Sequence, residues 1–503
     1  MQLFKMIRLD CYLKVLQPVA FVGLRTIRRA SFCVGNMDSL SITKMPQPRS
    51  PGDKVGSYPY CVTAILVVVS TLSFVDRSIF SLLVDPLKRD LALDEAQIGL
   101  LAGFAFALFY SVLGLPLGRY ADVGNRRRLI IGGVVAWSLA TAACGFARGF
   151  GFLFLARAFV GIGEATLGPA AFSLLAAYFP RSRLGVAMSL FAIGVTLGNG
   201  AAVAMGGLII QWARSASAGY LFGLQDSGGW RLSFLVVGLL GVPVSIMLLA
   251  IKEPARENQK EELLPPSLSD VFYYIKANWR AFVGVYVGYP LVVVTSFAQL
   301  IWGPTYFLRI HGYTIGEYGL IYGLVIGIGG TAALLLGGFW SDFLWRRGQL
   351  DAPMRIVLGS VIVQAPFLIA AFLCSNSALA LFLFSVGVIV LCLNGGLLTA
   401  TLQILSPEPM RGRISAIYLI LAYLIGAGLG PMITGLLTQN VFGGPMGLGL
   451  SLATMAAVTL PLSAVILVSA LESVRVTAQN LLTNEWRQET FVQKISAQAS
   501  TRR

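Results

Sequence analysis

The chain has 503 residues, of which 56% are hydrophobic and only 12% are charged. Soluble domains average about a quarter charged residues, so this composition excludes an ordinary soluble protein and indicates a polytopic membrane protein. The net charge of +15 would fit nucleic-acid binding in a soluble chain. In a membrane protein Lys and Arg collect on cytoplasmic loops and tails instead, and we expect no nucleic-acid partner.

The first 56 residues are basic and differ from the rest of the chain. Their apolar run from Val15 to Leu24 is too short to span a bilayer, contains Pro18 and lacks the pattern of a secretory signal. We expect residues 1–56 to form a disordered cytoplasmic extension. A weak organelle-targeting segment and an upstream start-codon artefact, with Met37 or Met45 as the true start, are the alternatives.

From Tyr60 onward, apolar runs of about 20 residues follow one another, which is the length that spans a bilayer. The first six predicted spans are 60–83, 97–119, 127–147, 151–178, 185–211 and 231–251. After a charged interval, the other six are 281–308, 317–340, 354–374, 379–403, 413–438 and 446–470. The pattern predicts an all-α polytopic membrane protein with about twelve transmembrane helices in two six-helix halves.

These spans define the predicted domains. The N-terminal extension is followed by an N-terminal half (57–251), a cytoplasmic central loop (252–280), a C-terminal half (281–471) and a cytoplasmic tail (472–503). Lys and Arg cluster in the loops after spans 2, 4, 8 and 10, whereas the loops after spans 9 and 11 have none. Because basic loops stay in the cytoplasm, we expect both termini there, in an integral multi-pass protein of a bacterial inner membrane.

One loop motif occurs in both halves. After span 2 the residues are Gly118, Asp122, Arg126 and Arg127; after span 8 they are Gly338, Asp342, Arg346 and Arg347. The four-residue spacing between glycine, aspartate and arginine is the same in both copies. A single copy would be a weak signal, but two copies at equivalent places indicate an internally duplicated membrane protein.

Spans 5 and 11 are rich in glycine, which lets helix backbones approach closely. The residues concerned are Gly194, Gly198, Gly206 and Gly207 in span 5, and Gly426, Gly428, Gly430 and Gly435 in span 11. They mark either helices that slide against one another or ordinary tight packing.

Four ionisable side chains fall inside predicted spans of the first half: Asp76 and Arg77 in span 1, and Arg157 and Glu164 in span 4. Such groups cost roughly 2.5–3.5 kcal/mol each on insertion scales, so we expect them to face the bundle interior. Arg157 and Glu164 are seven residues apart and share one helix face. The four form either a proton-coupling cluster, in which a moving arginine loads or releases a carboxylate proton, or a static salt-bridge lock.

The interiors of spans 7–12 carry almost no charge but offer aromatic and amide groups in an apolar setting. The candidates for a substrate cavity are Tyr286, Tyr289, Gln299, Trp302, Tyr322, Asn394 and Tyr418. Tyrosine and tryptophan also form interfacial belts in membrane proteins, and that alternative remains open.

Metal, cofactor and enzyme chemistry have little support. The six cysteines are scattered without a CxxC pair, and the single histidine, His311, falls in a loop on the predicted outer side. We expect no disulfide, no metal site, no cofactor and no mid-membrane histidine relay. The chain lacks a phosphate-binding Gly-x4-Gly-Lys-Ser/Thr loop, a His-Glu-x2-His motif and a Gly-x-Ser-x-Gly motif, so neither an ATP-driven pump nor a membrane enzyme is favoured.

The loop GRYADVGNRRRL, its second copy GGFWSDFLWRRG and the twelve spans resemble the major facilitator superfamily over about residues 60–470. The Asp-Arg pair of span 1 and the Arg-x3-Gly-x2-Glu pattern in RAFVGIGEATLGPA resemble its Spinster branch. The resemblance implies alternating access by rocking of the halves, with the duplicated loop residues as a cytoplasmic gate. It also places the four buried charges at protonation and coupling positions, and it implies lysolipid or sphingosine-type solutes.

The sequence therefore favours a proton-coupled secondary active transporter of an amphiphilic or organic, lysolipid-like solute. Its expected partners are that solute, protons and membrane lipid, and we expect a monomer. One alternative is a transporter of small polar solutes such as sugars or carboxylates, in which an anion pairs with Arg77 or Arg157. The other is a non-transporting receptor on the same scaffold.

Overall fold

A computed structural model describes residues 56–179, 181–214, 229–254 and 267–482. The predicted N-terminal extension, except Gly56, and the tail beyond Leu482 lie outside these ranges. Within them the secondary structure is helical, and twelve helices are long and apolar enough to cross a membrane. The predicted all-α fold of two six-helix halves is confirmed.

The spans follow the predicted order. Spans 1–6 are Ser57–Leu82, Glu95–Ala121, Arg126–Cys144, Phe150–Tyr178, Val186–Ala213 and Trp230–Leu248. Spans 7–12 are Trp279–His311, Ile315–Arg346, Ala352–Leu373, Ser377–Leu405, Arg411–Phe442 and Gly447–Leu481. The last helix continues past residue 471, where the polar tail is predicted to begin, because Val474 and Ala478 still pack into the protein and are buried.

The equivalent spans 4 and 10 are both interrupted. In span 4 the helix Phe150–Glu164 ends and a second helix begins at Leu167. In span 10 the helix ends at Cys392 and resumes after Gly396, which has a φ of 81° that favours glycine. The break in span 4 therefore places Glu164 at the end of a helical segment inside the bundle.

Two glycine-lined seams join the halves, one between spans 2 and 11 and one between spans 5 and 8. A Cβ atom at Gly103 would lie 2.5 Å from the carbonyl oxygen of Ala427, and one at Gly200 would lie 2.6 Å from Cα of Gly327. Only glycine permits such close backbone approach. Three of the four span-5 glycines singled out in the sequence, Gly194, Gly198 and Gly206, instead face span 1.

Each seam also contains π-helical turns, which are often found at functional sites. They are Leu100–Phe104 in span 2, Val325–Gly330 in span 8 and Ala422–Leu429 in span 11.

Among the described residues, the ion pairs between the halves lie at the end of the bundle opposite the arginine-rich loops. We refer to this as the distal end and to the other as the basic end. Arg309 of span 7 pairs with Asp85 at 2.5 Å and with Glu95 at 2.8 Å. The backbone N–H of Ala96 donates to the side chain of Gln439 at 3.2 Å. These contacts hold the halves together at the distal end.

The predicted central loop contains a helix, Leu268–Ala277, hereafter the linker helix. It begins with a capping box in which the Ser267 hydroxyl accepts from the Asp270 N–H (3.2 Å) and the Asp270 carboxylate accepts from the Ser267 N–H (3.0 Å). The helix is only 10 residues long, which is too short to span a bilayer, so a search for apolar runs of spanning length does not reveal it.

Candidate functional site

The four ionisable side chains predicted inside the first half meet between spans 1 and 4. Asp76, Arg157 and Glu164 are each at most 2% exposed. Consecutive residues on a helix point about 100° apart, so Asp76 and Arg77 reach different partners on span 4. Asp76 approaches Arg157, and Arg77 approaches Glu164.

The pair between Arg77 and Glu164 is tight. Nη2 and Nε of Arg77 lie 2.5 Å and 2.9 Å from Oε2 of Glu164, and the Ser73 hydroxyl donates to the same oxygen at 2.6 Å. Ser73 precedes Arg77 by four residues and so shares its helix face. The other carboxylate oxygen, Oε1, is buried and accepts no hydrogen bond from any described residue. One acceptor position on Glu164 is thus open to a proton.

The pair between Asp76 and Arg157 is looser. The closest approach, between Oδ1 and Nη1, is 3.7 Å, which is too long for a hydrogen bond. Oδ2 of Asp76 instead accepts a short hydrogen bond from the Thr141 hydroxyl of span 3. Nε and Nη1 of Arg157 are buried with no hydrogen-bond acceptor among the described residues. Buried charges held this way gain little from each other, so this pair is the less constrained of the two.

Aromatic rings cover both arginines and connect one of them to the second half. The Arg77 guanidinium lies 4.7 Å from the ring centre of Phe106, a typical cation–π distance. Phe106 stacks on Tyr110 at 5.3 Å, and Tyr110 stacks on Tyr423 of span 11 at 4.6 Å. On the other side, Arg157 lies 4.8 Å from Phe80. These ring contacts therefore connect the Arg77 side chain to the contact between the halves.

Sequence reasoning missed several of these partners. Ser73 could have been found from its four-residue offset to Arg77. Thr141, Phe106 and Tyr110 come from other spans, and nothing in their local sequence distinguishes them from ordinary span residues.

The first copy of the predicted gate motif is held by a residue that the motif does not include. The backbone N–H groups of Arg126 and Arg127 donate to the two carboxylate oxygens of Glu253, at 3.2 Å and 2.8 Å. The Arg127 guanidinium donates to the carbonyl of Leu249 at 2.8 Å. A Cβ atom at Gly118 would meet Pro169 at 3.9 Å, and the Asp122 side chain lies outside the described part of the chain.

The second copy is more exposed. Asp342, Arg346 and Arg347 are exposed, and none of them forms an ion pair with another described residue. The Arg347 guanidinium lies 4.2 Å from the Phe343 ring. A Cβ atom at Gly338 would meet nothing within 4 Å.

The predicted substrate-cavity residues are mostly packed within the C-terminal half. Those that are buried are Gln299, Trp302, Tyr322, Asn394 and Tyr418. Trp302 donates through Nε1 to the carbonyl of Pro431 at 2.9 Å, and Asn394 accepts from Ser360 at 2.6 Å. Tyr286, half-buried, donates to the carbonyl of Ile414 at 3.1 Å. Among the rings of these candidates, those of Tyr289 and Tyr418 pack against each other, with ring centres 6.0 Å apart.

His311 is the last residue of span 7 rather than part of the following loop, and its Nε2 lies 3.0 Å from the Tyr306 hydroxyl. No cluster of three or more His, Cys, Asp and Glu residues that could hold a metal ion exists among the described residues.

The sequence profile of the Major Facilitator Superfamily matches residues 66–431. An MFS-type efflux pump of Mycolicibacterium smegmatis is 27% identical over 394 residues, covering 76% of this chain and 85% of the relative. Protein spinster homolog 1 of Mus musculus is 25% identical over 406 residues, covering 76% and 73%. The hexuronate transporter of Bacillus subtilis is 25% identical over 410 residues, covering 78% and 92%.

A solved structure extends the similarity to the fold. It is the crystal structure of a bacterial homolog of the human lysosomal transporter Spinster, in an inward-facing and unoccupied conformation. The TM-score is 0.69 at 26% identity, over 85% of this chain and 98% of that chain.

Proposed function

This chain belongs to the major facilitator superfamily as a Spinster-like transporter, not an enzyme, and we propose that it couples proton movement to transport of an amphiphilic or organic solute. The observation that carries the proposal is the environment of Glu164. This buried carboxylate is bonded through one oxygen to Arg77 and leaves the other oxygen open. A static lock would be expected to satisfy both oxygens.

In the proposed cycle, a proton on Glu164 removes the negative charge that holds Arg77. Removing one partner of a buried ion pair leaves an uncompensated charge, which costs about 3–5 kcal/mol. The Arg77 guanidinium, which has lost its counter-ion, then pairs with another anion, such as an anionic group of the solute. Arg77 packs on Phe106, Phe106 stacks on Tyr110, and Tyr110 stacks on Tyr423 of the C-terminal half. A movement of Arg77 therefore alters the contact between the halves. The looser pair of Asp76 and Arg157 is a second place for a proton.

The proposed orientation follows from the basic loops. We place the basic end and both termini in the cytoplasm of a bacterium whose inner membrane holds the protein as a monomer. Because Arg309 joins the halves at the distal end, we assign the structure to an inward-facing state of an alternating-access cycle. In the outward-facing state, the duplicated loop residues around Asp122 and Asp342 are proposed to close the basic end.

The proposed solute carries an anionic group and an apolar body. Arg77 is the one member of the charged cluster with a partly exposed side chain, at 15%, and aromatic rings surround it. The resemblance to the Spinster branch implies a lysolipid-like solute, and similarity to protein spinster homolog 1 supports the assignment to that branch. The second candidate is a small carboxylate, which the same guanidinium could bind and which similarity to the hexuronate transporter supports.

Uptake into proteoliposomes under an imposed pH gradient tests the proposal. Wild type and Glu164→Gln are each offered a labelled lysolipid, a hexuronate and a neutral sugar. We expect gradient-driven accumulation of the lysolipid by wild type and its loss in Glu164→Gln. The control is Glu472→Gln, which removes an exposed carboxylate from span 12 and should leave accumulation unchanged.

The other outcomes separate the alternatives. Accumulation of the hexuronate alone would move the assignment to small carboxylates. Full gradient-driven accumulation in Glu164→Gln would refute the coupling role. If no solute showed net flux in any variant, a receptor role on the transporter scaffold would gain support.

A further inference from the structure

The linker helix has one face fixed to the C-terminal half. Val271 is fully buried, and Tyr274 is 1% exposed. The Tyr274 hydroxyl donates to the carbonyl of Leu405, the last residue of span 10, at 2.8 Å. After the helix, the side-chain amide of Asn278 donates to the carbonyl of Tyr274 at 3.1 Å, and span 7 begins at the next residue. The helix is thus held rigidly against the basic end of the bundle.

The exposed side of the linker helix and the adjoining first turn of span 7 combine large apolar groups with cations. Leu268, Phe272 and Trp279 are 56%, 59% and 58% exposed, and Lys276 and Arg280 are also exposed. Positions 268, 272 and 276 repeat every four residues and therefore lie along one side of the linker helix, and Trp279 and Arg280 follow in the first turn of span 7. The Arg280 guanidinium is 5.7 Å from the Trp279 ring centre.

The two cations are available to an external partner. Neither Lys276 nor Arg280 forms an ion pair with any residue in the described ranges. The carboxylate of the same helix, Asp270, accepts hydrogen bonds from the Ser267 N–H and hydroxyl at 3.0 Å and 2.6 Å. It is therefore oriented toward the helix start and does not neutralise the cations at the other end.

We propose that Phe272, Lys276, Trp279 and Arg280 form a binding site for the headgroup of an anionic phospholipid in the surrounding leaflet. Aromatic rings concentrate at the level of lipid headgroups, and clustered Lys and Arg next to a span attract anionic lipid. The two cations contact the phosphate, while the two rings lie at the boundary between headgroup and acyl chains. This lipid is a fixed partner of the C-terminal half and is distinct from the transported solute.

Competition between phosphatidylglycerol and phosphatidylcholine tests the site in the full-length protein. Protein in nanodiscs of the mixed lipids is released for native mass spectrometry, and the ratio of retained lipids is compared among variants. We expect wild type to retain phosphatidylglycerol preferentially. Lys276→Gln/Arg280→Gln should lower that preference roughly 25-fold, since each basic residue near an anionic surface adds about a fivefold bias. The matched control is Arg183→Gln/Lys252→Gln, which removes two exposed cations from the basic end of the other half.

A second measurement uses the aromatic part of the site. Phosphatidylglycerol with brominated acyl chains should quench tryptophan fluorescence less in Trp279→Phe than in wild type, because Trp279 is the exposed ring beside the cations. Equal lipid ratios in all variants, or quenching that does not change in Trp279→Phe, would overturn the proposal. Either result would indicate that a soluble partner, and not a lipid, covers this exposed surface.

Discussion

Arg77 and Glu164 form a buried ion pair of 2.5 Å that joins span 1 to span 4. The Arg77 guanidinium donates hydrogen bonds to the Glu164 carboxylate and packs on the Phe106 ring, so ionic and cation–π contacts both hold it in place. The neighbouring pair of Asp76 and Arg157 is 3.7 Å long and lacks this support. The cluster therefore contains one tight and one loose ion pair, and the proposed proton coupling rests on this difference.

The tight pair should show strong energetic coupling. We expect Arg77→Ala and Glu164→Ala each to lower the free energy of unfolding by about 3–5 kcal/mol, because each leaves a buried charge without its partner. The double variant should be far less destabilised than the sum of the two. Denaturant unfolding in detergent micelles measures all three. Additive effects would show that the two side chains do not depend on each other.

Replacing Arg309 should open the distal end. Arg309→Gln removes two ion pairs between the halves, which are partly exposed and worth about 1 kcal/mol each at most. We expect a several-fold gain in the distal-open population, measured as a longer distance between spin labels at Ala92 and Pro445, which line the same cleft. Arg309→Lys keeps the charge and should behave more like wild type. An unchanged distance distribution in Arg309→Gln would show that the glycine seams alone close this end.

Gly200 should not tolerate a side chain in the distal-closed state. A Cβ atom there would lie 2.6 Å from Cα of Gly327, so Gly200→Val forces spans 5 and 8 apart. Overpacking of this kind costs about 1–3 kcal/mol, and we expect the same spin-label pair to report the distal-open state. The control is Gly132→Val, because a Cβ atom at Gly132 meets nothing within 4 Å. A distal-closed Gly200→Val protein would mean that the seam can adjust by a shift of register.

Glu253 should stabilise the start of span 3. Its carboxylate accepts from the first two backbone N–H groups of that span, at 3.2 Å and 2.8 Å. Losing a cap of this kind costs about 0.5–2 kcal/mol, so Glu253→Ala should lower the unfolding free energy by that amount. Hydrogen exchange at Arg126 and Arg127 should increase in this variant. Unchanged exchange at both amides would show that the cap contributes nothing.

Much of the fold follows from the sequence because hydropathy is a local property. Each apolar run long enough to cross a bilayer forms a span, since a helix satisfies its own backbone groups without help from neighbours. For the same reason the four ionisable residues can be identified from the sequence, because a charged residue inside an apolar run is easily recognised. The linker helix escapes this reasoning, since its stability comes from the docking of Val271 and Tyr274 on the C-terminal half.

The sequence does not determine which charged residues of the cluster pair with each other. The seven-residue spacing of Arg157 and Glu164 places both on one face, but the rotation of span 1 decides which of them meets Arg77. That rotation depends on contacts distant in sequence, such as Gly194 against Val67 and Gly198 against Thr71. Thr141 and the Tyr110–Tyr423 stack lie next to the charged cluster only because spans 2, 3 and 11 pack against it.

The sequence by itself therefore determined the number of spans, the duplication of the halves and the identity of the buried charges. Only the tertiary structure decided which charge pairs with which and where the two halves touch. The physical reason is that apolar spans are specified by their own composition, whereas these contacts are specified by the mutual rotation and close approach of helices.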